Sequence, residues 1–106
     1  MSKLIEIKKS TNPDKKLMAI FEITKDGKKT KKTTHFGSSA NKDFTIYSKT
    51  DSKEKANQMK DAYLKRHSVN ENWDDFTSAG SLSRYILWNK PTVESSIKDF
   101  KKKFNL

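Results

Sequence analysis

Apolar residues in the first quarter of the chain come in two short runs, a pattern typical of β-strands. The runs cover residues 4–7 and 17–24, and the second is rich in β-branched and aromatic residues. The segment 10–14 between them contains Asn-Pro-Asp, which favours a turn because proline presets one dihedral angle and Asn and Asp bond the local backbone. Asp26-Gly27 then favours a tight hairpin. We predict a first strand near residues 3–9 and a second strand that turns directly into a third.

The third strand is expected over about Lys28 to Phe36, a segment composed mostly of Lys and Thr. Such a strand belongs at the edge or on an open face of a sheet, where lysine also discourages the addition of another strand. After a loop at 37–41, apolar residues alternate in Phe44–Tyr47 and predict a short fourth strand. The first half is thus predicted to be a small antiparallel β-meander of three to four strands.

At Asp51 the apolar spacing changes to that of a helix. Asp51 followed by Glu54 is a candidate capping box, and the following apolar residues recur every three to four positions. A helix is predicted from about Ser52 to His67. Its core-facing residues are predicted to be Ala56, Met59, Ala62, Tyr63 and His67.

Two further helices are predicted in the last third of the chain, giving an α+β fold with about three α-helices. One spans Ala79 to Trp88 and ends before Pro91. The next begins near Pro91 or Thr92, because proline suits a first helical position. It carries an apolar stripe consisting of Val93, Ile97, Phe100 and Phe104. Because segment 73–104 also holds both tryptophans, we predict that it forms the core.

The chain is small and strongly basic. Its 106 residues include 23 Lys and Arg against 13 Asp and Glu, a formal charge of +10, and only 32% of them are apolar. This length supports one modest core, so we predict a single domain over residues 1–106. So large a charge favours an anionic partner, and nucleic acid is the commonest. The alternative at this level is a lysine-rich surface that serves solubility alone.

Neither a membrane partner nor a disulfide framework is expected. The chain has no cysteine, and its longest apolar stretch, Leu17–Phe21, is five residues, too short to cross a bilayer. The sequence shows no signal peptide and no lipidation motif. We therefore expect an intracellular protein.

Catalysis is not predicted, because the residue types that carry it lack partners. His35 and His67 lie in unrelated segments and are expected to be a strand residue and a helix-end residue. The segment Ala79–Ser83 lacks the glycine pattern of a nucleophile turn, and the acidic residues within 71–75 lack further metal ligands. With three glycines in all, the chain has no phosphate-cradling loop. We predict no catalytic residue, no metal and no cofactor.

Nucleic-acid binding is the function that the charge pattern favours. Lysines can neutralise phosphates without reading sequence, and there are only two arginines, the residue that usually contacts guanine. Trp73, Trp88 and Tyr85 are expected to pack the core rather than to stack on bases. The contacts are predicted to come from Lys28, Lys29, Lys31, Lys32, Lys65, Arg66, Arg84, Lys90, Lys101, Lys102 and Lys103. Double-stranded DNA is the favoured partner, and RNA is open.

Arg84 is expected to differ from the lysines, because a planar guanidinium among apolar neighbours can stack or pair as an ammonium cannot. Its expected partners are Glu71, Asp74 or Asp75.

The last two-thirds of the chain carry a dense series of short motifs. They are Thr34-His35-Phe36-Gly37, Asp43-Phe44-Thr45, Tyr63-Leu64-Lys65-Arg66-His67, Glu71-Asn72-Trp73, Ala79-Gly80 with Leu82-Ser83-Arg84, Ile86-Leu87-Trp88-Asn89-Lys90-Pro91-Thr92, and Ser96-Ile97 with Lys102-Lys103-Phe104. In this order they resemble a family of small basic proteins of unknown function encoded by large DNA viruses of algae and protists. The chain departs from that pattern at Ser78, where threonine is more usual, and in an extended segment at 48–57.

The resemblance implies an origin and module boundaries rather than an activity. It implies a virus-encoded module at 31–106 preceded by a variable N-terminal extension at 1–30, and a place in the virion or the host nucleus or cytoplasm. Genome packaging or organisation is the function it favours. The alternative is a minor scaffold protein of the particle that binds acidic protein surfaces or its own copies. Convergence of the cations on one face favours nucleic acid, whereas an even spread favours a scaffold.

Overall fold

The computed structural model describes residues 2–69 and 71–106. Three strands come first: β1 (Ser2–Lys9), β2 (Lys15–Lys25) and β3 (Lys28–Ser38). The helices follow: α1 (Phe44–Thr50), α2 (Lys53–His67), α3 (Ala79–Leu82), a π-helical turn (Ser83–Leu87) and α4 (Val93–Phe104). The predicted α+β class, with an N-terminal antiparallel sheet and helices after it, is confirmed.

The sheet is antiparallel with the order β1-β2-β3, so β3 is an edge strand as predicted. Asp26 and Gly27 form the predicted hairpin turn with φ values of 53° and 77°. Both angles are positive, as the tight turns that match strand twist require, and glycine adopts them without strain. The other predicted turn lies between β1 and β2, where the Asn12 side chain accepts a hydrogen bond from the Asp14 backbone N–H.

Directly paired residues lie on one face of the sheet, and the register separates a core face from an open one. Leu4 pairs with Phe21, and Ala19 pairs with Thr34. Leu4, Ala19 and Phe21 belong to the main hydrophobic cluster. The residues that alternate with them lie on the other face, where Met18 is buried and Ile20 is half-buried. The helices therefore cover one face of the sheet.

The predicted fourth strand is wrong, because Phe44–Tyr47 begins helix α1 instead. The Asp43 side chain accepts a hydrogen bond from the Ile46 backbone N–H at 3.2 Å, and the Asp43 carbonyl accepts from the Tyr47 N–H at 2.9 Å. An aspartate in this position initiates a helix. Four residues of alternation do not distinguish one turn of helix from a strand, and the cap decides between them.

Helix α2 has the predicted extent but not the predicted cap. Ser52 caps it by accepting from the Lys55 backbone N–H at 3.2 Å, whereas Asp51 ends α1 by donating its own N–H to the Tyr47 carbonyl. The expected core-facing stripe is also partly wrong: Ala62 is exposed. With Ser52 as the cap, two residues lie between α1 and α2, and Asp51 is free to end the preceding helix.

The predicted helix at 79–88 is present but changes type within its length. After α3, the Trp88 backbone N–H donates to the Ser83 carbonyl at 3.0 Å, five residues back, which marks the π-helical turn. The final helix begins at Val93, close to the predicted start near Pro91 or Thr92. Thr92 is its cap and accepts from the Ser95 N–H, so proline does not hold the first helical position. It ends at Asn105, whose φ of 55° closes the helix in the left-handed conformation.

The core is shared between the sheet and the helices, which corrects the prediction that segment 73–104 forms it. Leu82, Ile86 and Phe100 are fully buried as expected, but so are Phe21 and Phe36 of the strands. Trp88 is buried as well, whereas Trp73 is only half-buried. Strand β2, which lies within the predicted variable extension, therefore supplies part of the core.

Candidate nucleic-acid interface

The molecule is elongated, with extents of 48 × 26 × 24 Å, and its cations are divided between its ends. Strands β2 and β3 pair from Lys25↔Lys28 at the hairpin to Lys15↔Ser38 at the other end. Ten residues separate the two pairs, which corresponds to about 33 Å of strand. Side chains at the two ends therefore cannot belong to one compact site.

The end of α4 lies beside the hairpin end of the sheet. Asn105 and Leu106 line a shallow groove together with Lys3, Glu22 and Lys29, and the Leu106 N–H bonds back to the Lys101 carbonyl at 2.9 Å. The last turn of α4 thus brings its lysines to the hairpin. We call the resulting surface the basic end and define it by eight exposed lysines: Lys3, Lys25, Lys28, Lys29, Lys31, Lys101, Lys102 and Lys103.

Two carboxylates accompany these lysines, Glu22 and Asp26. Glu22 lies 4.0 Å from the Lys29 ammonium, and the Lys29 side chain is 71% exposed. Because exposed ion pairs contribute little free energy, Lys29 remains free to contact an external anion. The basic end therefore has a large excess of positive charge.

The hairpin lysines do not all point the same way. Lys31 pairs across the sheet with Glu22, and Lys29 pairs with Thr24, so these two lysines share the open face. Lys32 pairs with Phe21 on the core face, where its ammonium donates to the Thr77 hydroxyl at 3.0 Å. Of the predicted hairpin contacts, Lys29 and Lys31 form one row and Lys32 is held against the protein.

The structure does not bring Lys65, Arg66 and Lys90 to the basic end. Lys65 and Arg66 are in the last turn of α2, and Arg66 lines a cleft with Lys15 and Ser38, at the far end of the sheet. Lys90 is exposed beyond the π-helical turn. The predicted contact residues therefore form separate groups.

Lys60 is a cation that the sequence did not single out, although its neighbour Lys90 was predicted. Its ammonium donates to the Asn89 carbonyl at 2.8 Å and lies 4.9 Å from the centre of the Phe44 ring. Burial lowers the pKa of Lys60, and the nearby charges of Arg84 and Lys90 lower it further. Its side chain holds α2 against the turn before α4 and is not available to phosphate.

Arg84 stacks instead of pairing with a carboxylate. Its guanidinium lies 4.9 Å from the centre of the Tyr85 ring and 5.2 Å from that of Trp73, and the Lys103 ammonium lies 5.4 Å from the Tyr85 ring. Among the described residues, 2–69 together with 71–106, no carboxylate forms an ion pair with Arg84. The expected partners Glu71, Asp74 and Asp75 are therefore wrong, and the expectation that the guanidinium stacks is confirmed.

The histidines are held by neighbours that differ in chemistry. The His35 Nδ1 lies 2.7 Å from the Ser10 hydroxyl across the β1–β2 turn. His67 stacks on Tyr63, and its Nδ1 lies 3.7 Å from a Glu71 carboxylate oxygen. In the described part of the chain, no group of three or more His, Asp or Glu side chains could hold a metal ion.

Asp43 is an organising residue that the apolar pattern of the sequence did not indicate. Asp43 is 2% exposed, caps α1, accepts from the Thr45 hydroxyl, and forms a 2.6 Å ion pair with Lys16 of β2. It thereby fixes α1 to the sheet. An aspartate three residues before Ile46 is the N-cap signal that could have identified it.

Comparisons with known proteins return no family model, no curated protein and no solved structure that matches the chain significantly. The resemblance to viral proteins therefore stays a prediction. None of the helices among the described residues is both long enough and apolar enough to cross a membrane.

Proposed function

We propose that the protein is a non-enzymatic, basic nucleic-acid-binding protein whose principal contact surface is the basic end. The observation that carries this proposal is the meeting of the hairpin with the last turn of α4, which gathers eight exposed lysines around two carboxylates. Ammonium groups at such density neutralise phosphates and release condensed counterions. The binding free energy is then electrostatic and strongly dependent on salt.

The residue types of the basic end favour weak sequence dependence. Base readout in the major groove commonly uses arginine, but Arg84 is stacked between two rings and Arg66 lies at the opposite end. The lysines that remain contact backbone phosphates, which position a protein without specifying a base.

Duplex is favoured over single strands because the rings beside Lys103, Tyr85 and Phe104, are partly buried and pack against other rings. Proteins that bind single strands combine positive charge with rings on which bases stack. Tyr85 and Phe104, the rings nearest Lys103, pack against each other at 5.4 Å. We therefore propose double-stranded DNA as the principal partner, and, with the viral resemblance, a role in packaging or organising a genome in the virion or the host cell.

A charge-matched pair of variants tests where binding occurs. Lys29→Gln with Lys31→Gln removes two charges from the basic end, and Lys53→Gln with Lys55→Gln removes two exposed charges at the start of α2. We expect the first pair to weaken duplex binding at least about tenfold at low salt, with the second pair nearer to wild type. Fluorescence anisotropy with a labelled 20-bp duplex measures both. Equal losses would show that only total charge matters, and the basic end would not be the site.

The second candidate is a particle scaffold that binds acidic protein surfaces, and the division of the cations between two ends favours it. A scaffold contact that buries apolar area should survive at high salt, whereas phosphate contacts weaken steeply. The salt dependence of duplex binding therefore separates the two functions.

A further inference from the structure

A cleft lies at the end of the molecule opposite the hairpin. Its volume is about 500 Å³, and its walls come from the ends of β2 and β3 that lie opposite the hairpin, the loop before α1, α2 and the π-helical turn. Apolar and aromatic side chains line part of it, among them Phe36, Tyr63, Leu87 and Trp88. This volume falls in the range typical of sites for small ligands.

A column of stacked rings forms one wall of this cleft. Trp88 and Tyr63 are nearly parallel, with ring centres 4.3 Å apart and an interplanar angle of 4°. His67 continues the column, 4.2 Å beyond Tyr63 at 29°. Trp88 and Tyr63 are both 8% exposed, whereas the His67 side chain is 41% exposed. His67 is therefore the end of the column that can receive another planar ring.

Positive charge surrounds the open end of the column. Lys15, Lys16, Lys42 and Arg66 line the cleft, with Asp43 and Glu71 as its carboxylates. Asp43 is neutralised by Lys16 at 2.6 Å. Lys42 has a partner 3.5 Å away in Asp51, but its side chain is 50% exposed. Within the described ranges, Lys15 and Arg66 form no ion pair with a carboxylate. Two cations without a carboxylate partner thus line the same cleft as the exposed ring of His67.

We propose that this cleft binds a nucleoside phosphate, with the base stacked on His67 and the phosphate held by Arg66 and Lys15. The two features required are a flat face and an unpaired cation within one cavity, and both are present. Arg66 suits the phosphate because its guanidinium offers two parallel donors to two oxygens. The ligand is either a free nucleotide or the phosphorylated, unpaired end of a strand. This site is separate from the basic end and does not depend on duplex binding there.

Glu71 limits the position of the phosphate. Its carboxylate lies 3.7 Å from His67 Nδ1, and a Cβ on Gly80 would lie 1.9 Å from Glu71 Oε2. The carboxylate is thus held on the α3 side of the cleft, between His67 and Gly80. A phosphate would avoid that side and bind toward Lys15 and Arg66.

Adjacent cations on α2 provide a matched test. Arg66 lines the cleft and Lys65 does not, although both are exposed and lie in the same helical turn. We expect AMP to bind wild type more tightly than adenosine or inorganic phosphate does, by calorimetry. Arg66→Gln should weaken AMP binding about tenfold or more, and Lys65→Gln should change it less than about twofold. His67→Ala should weaken AMP about tenfold with little effect on inorganic phosphate.

Backbone amide shifts in NMR spectra locate the ligand. AMP should move the signals of Lys15, Arg66 and Gly80 and leave those of Lys29 and Lys101 unchanged. A 5′-phosphorylated thymidine tetranucleotide that binds more tightly than AMP assigns the site to a strand end, and the reverse order assigns it to a free nucleotide. No AMP binding at millimolar concentration, or equal losses for Arg66→Gln and Lys65→Gln, would overturn the proposal. Duplex binding at the basic end is tested separately, with the Lys29 and Lys31 variants. The duplex proposal and the nucleoside-phosphate proposal can therefore fail independently.

Discussion

Arg84 shows at the scale of one residue why the two arginines cannot be grouped with the lysines. Its guanidinium lies within 5.2 Å of two ring centres, and its Nε is buried without a hydrogen-bond partner. A planar, weakly hydrated cation tolerates such surroundings better than an ammonium group does. The residue is therefore part of the packing between segment 73–76 and the π-helical turn.

The first prediction concerns this stack. Arg84→Lys should lower the free energy of unfolding by about 1 kcal/mol, because a flexible ammonium loses the stacking on Trp73 and Tyr85. Urea denaturation measures the change, and duplex affinity should stay within about twofold. Unchanged stability together with a large loss of DNA binding would instead make Arg84 a contact residue.

Tyr63 gives a second prediction, about pH. Burial, followed by the charge of Glu71, raises the pKa of Tyr63 from 10.0 to about 12. The folded protein therefore keeps the phenolic proton between these values, whereas the unfolded chain loses it. Stability from this difference is complete below pH 10 and is lost as the pH rises toward 12.

Tyr63→Phe keeps the ring and removes the titration. Relative to wild type, its free energy of unfolding should rise with pH above 10, by at most about 1.4 kcal/mol per pH unit. Lys60 acts in the opposite direction, because its lowered pKa makes stability increase as the pH rises toward 10.5. The Lys60 contribution is the same in wild type and in Tyr63→Phe, so it cancels when the two are compared. A difference that does not vary between pH 9 and 11.5 would contradict the raised pKa.

At the scale of elements, the sequence was sufficient wherever a local signal decides the structure. The turn at Asp26-Gly27 lies where it was expected, and the last helix begins close to the predicted Pro91 or Thr92. Phe44–Tyr47 was misassigned because a short alternation suits a strand and a helical turn alike, and Asp43 resolves it. The π-helical turn at 83–87 has no sequence signal, since it depends on packing against distant residues.

The shared core gives the third prediction. Phe21 of β2 and Phe100 of α4 are both 0% exposed, so replacing either with alanine should destabilise the protein by about 3 to 5 kcal/mol. Ala62→Lys on the exposed side of α2 is the control and should change stability by less than about 0.5 kcal/mol. A loss below about 1 kcal/mol for Phe21→Ala would mean that the helices fold without the sheet.

At the scale of the whole molecule, the charge was evident from the sequence but its distribution was not. The hairpin segment Lys28–Lys32 is far along the chain from the last turn of α4, Lys101–Lys103. The two meet only because α4 ends beside the hairpin. Lys65 and Arg66 were grouped with the other predicted contacts because of their charge. The fold nevertheless places Arg66 in the cleft at the other end. Strand register also separates Lys32 from Lys31. Composition therefore predicts that an anionic partner exists, and tertiary structure determines which lysines can contact it.

The salt dependence of duplex binding tests the central claim most directly. If the basic end engages about four to six phosphates, the logarithm of the association constant should fall with the logarithm of salt concentration with a slope near −4 to −5. Lys29→Gln with Lys31→Gln should make that slope shallower by about one to two. Absence of binding near 50 mM salt, or affinity that persists undiminished well above physiological salt, would contradict electrostatic duplex binding and favour the scaffold.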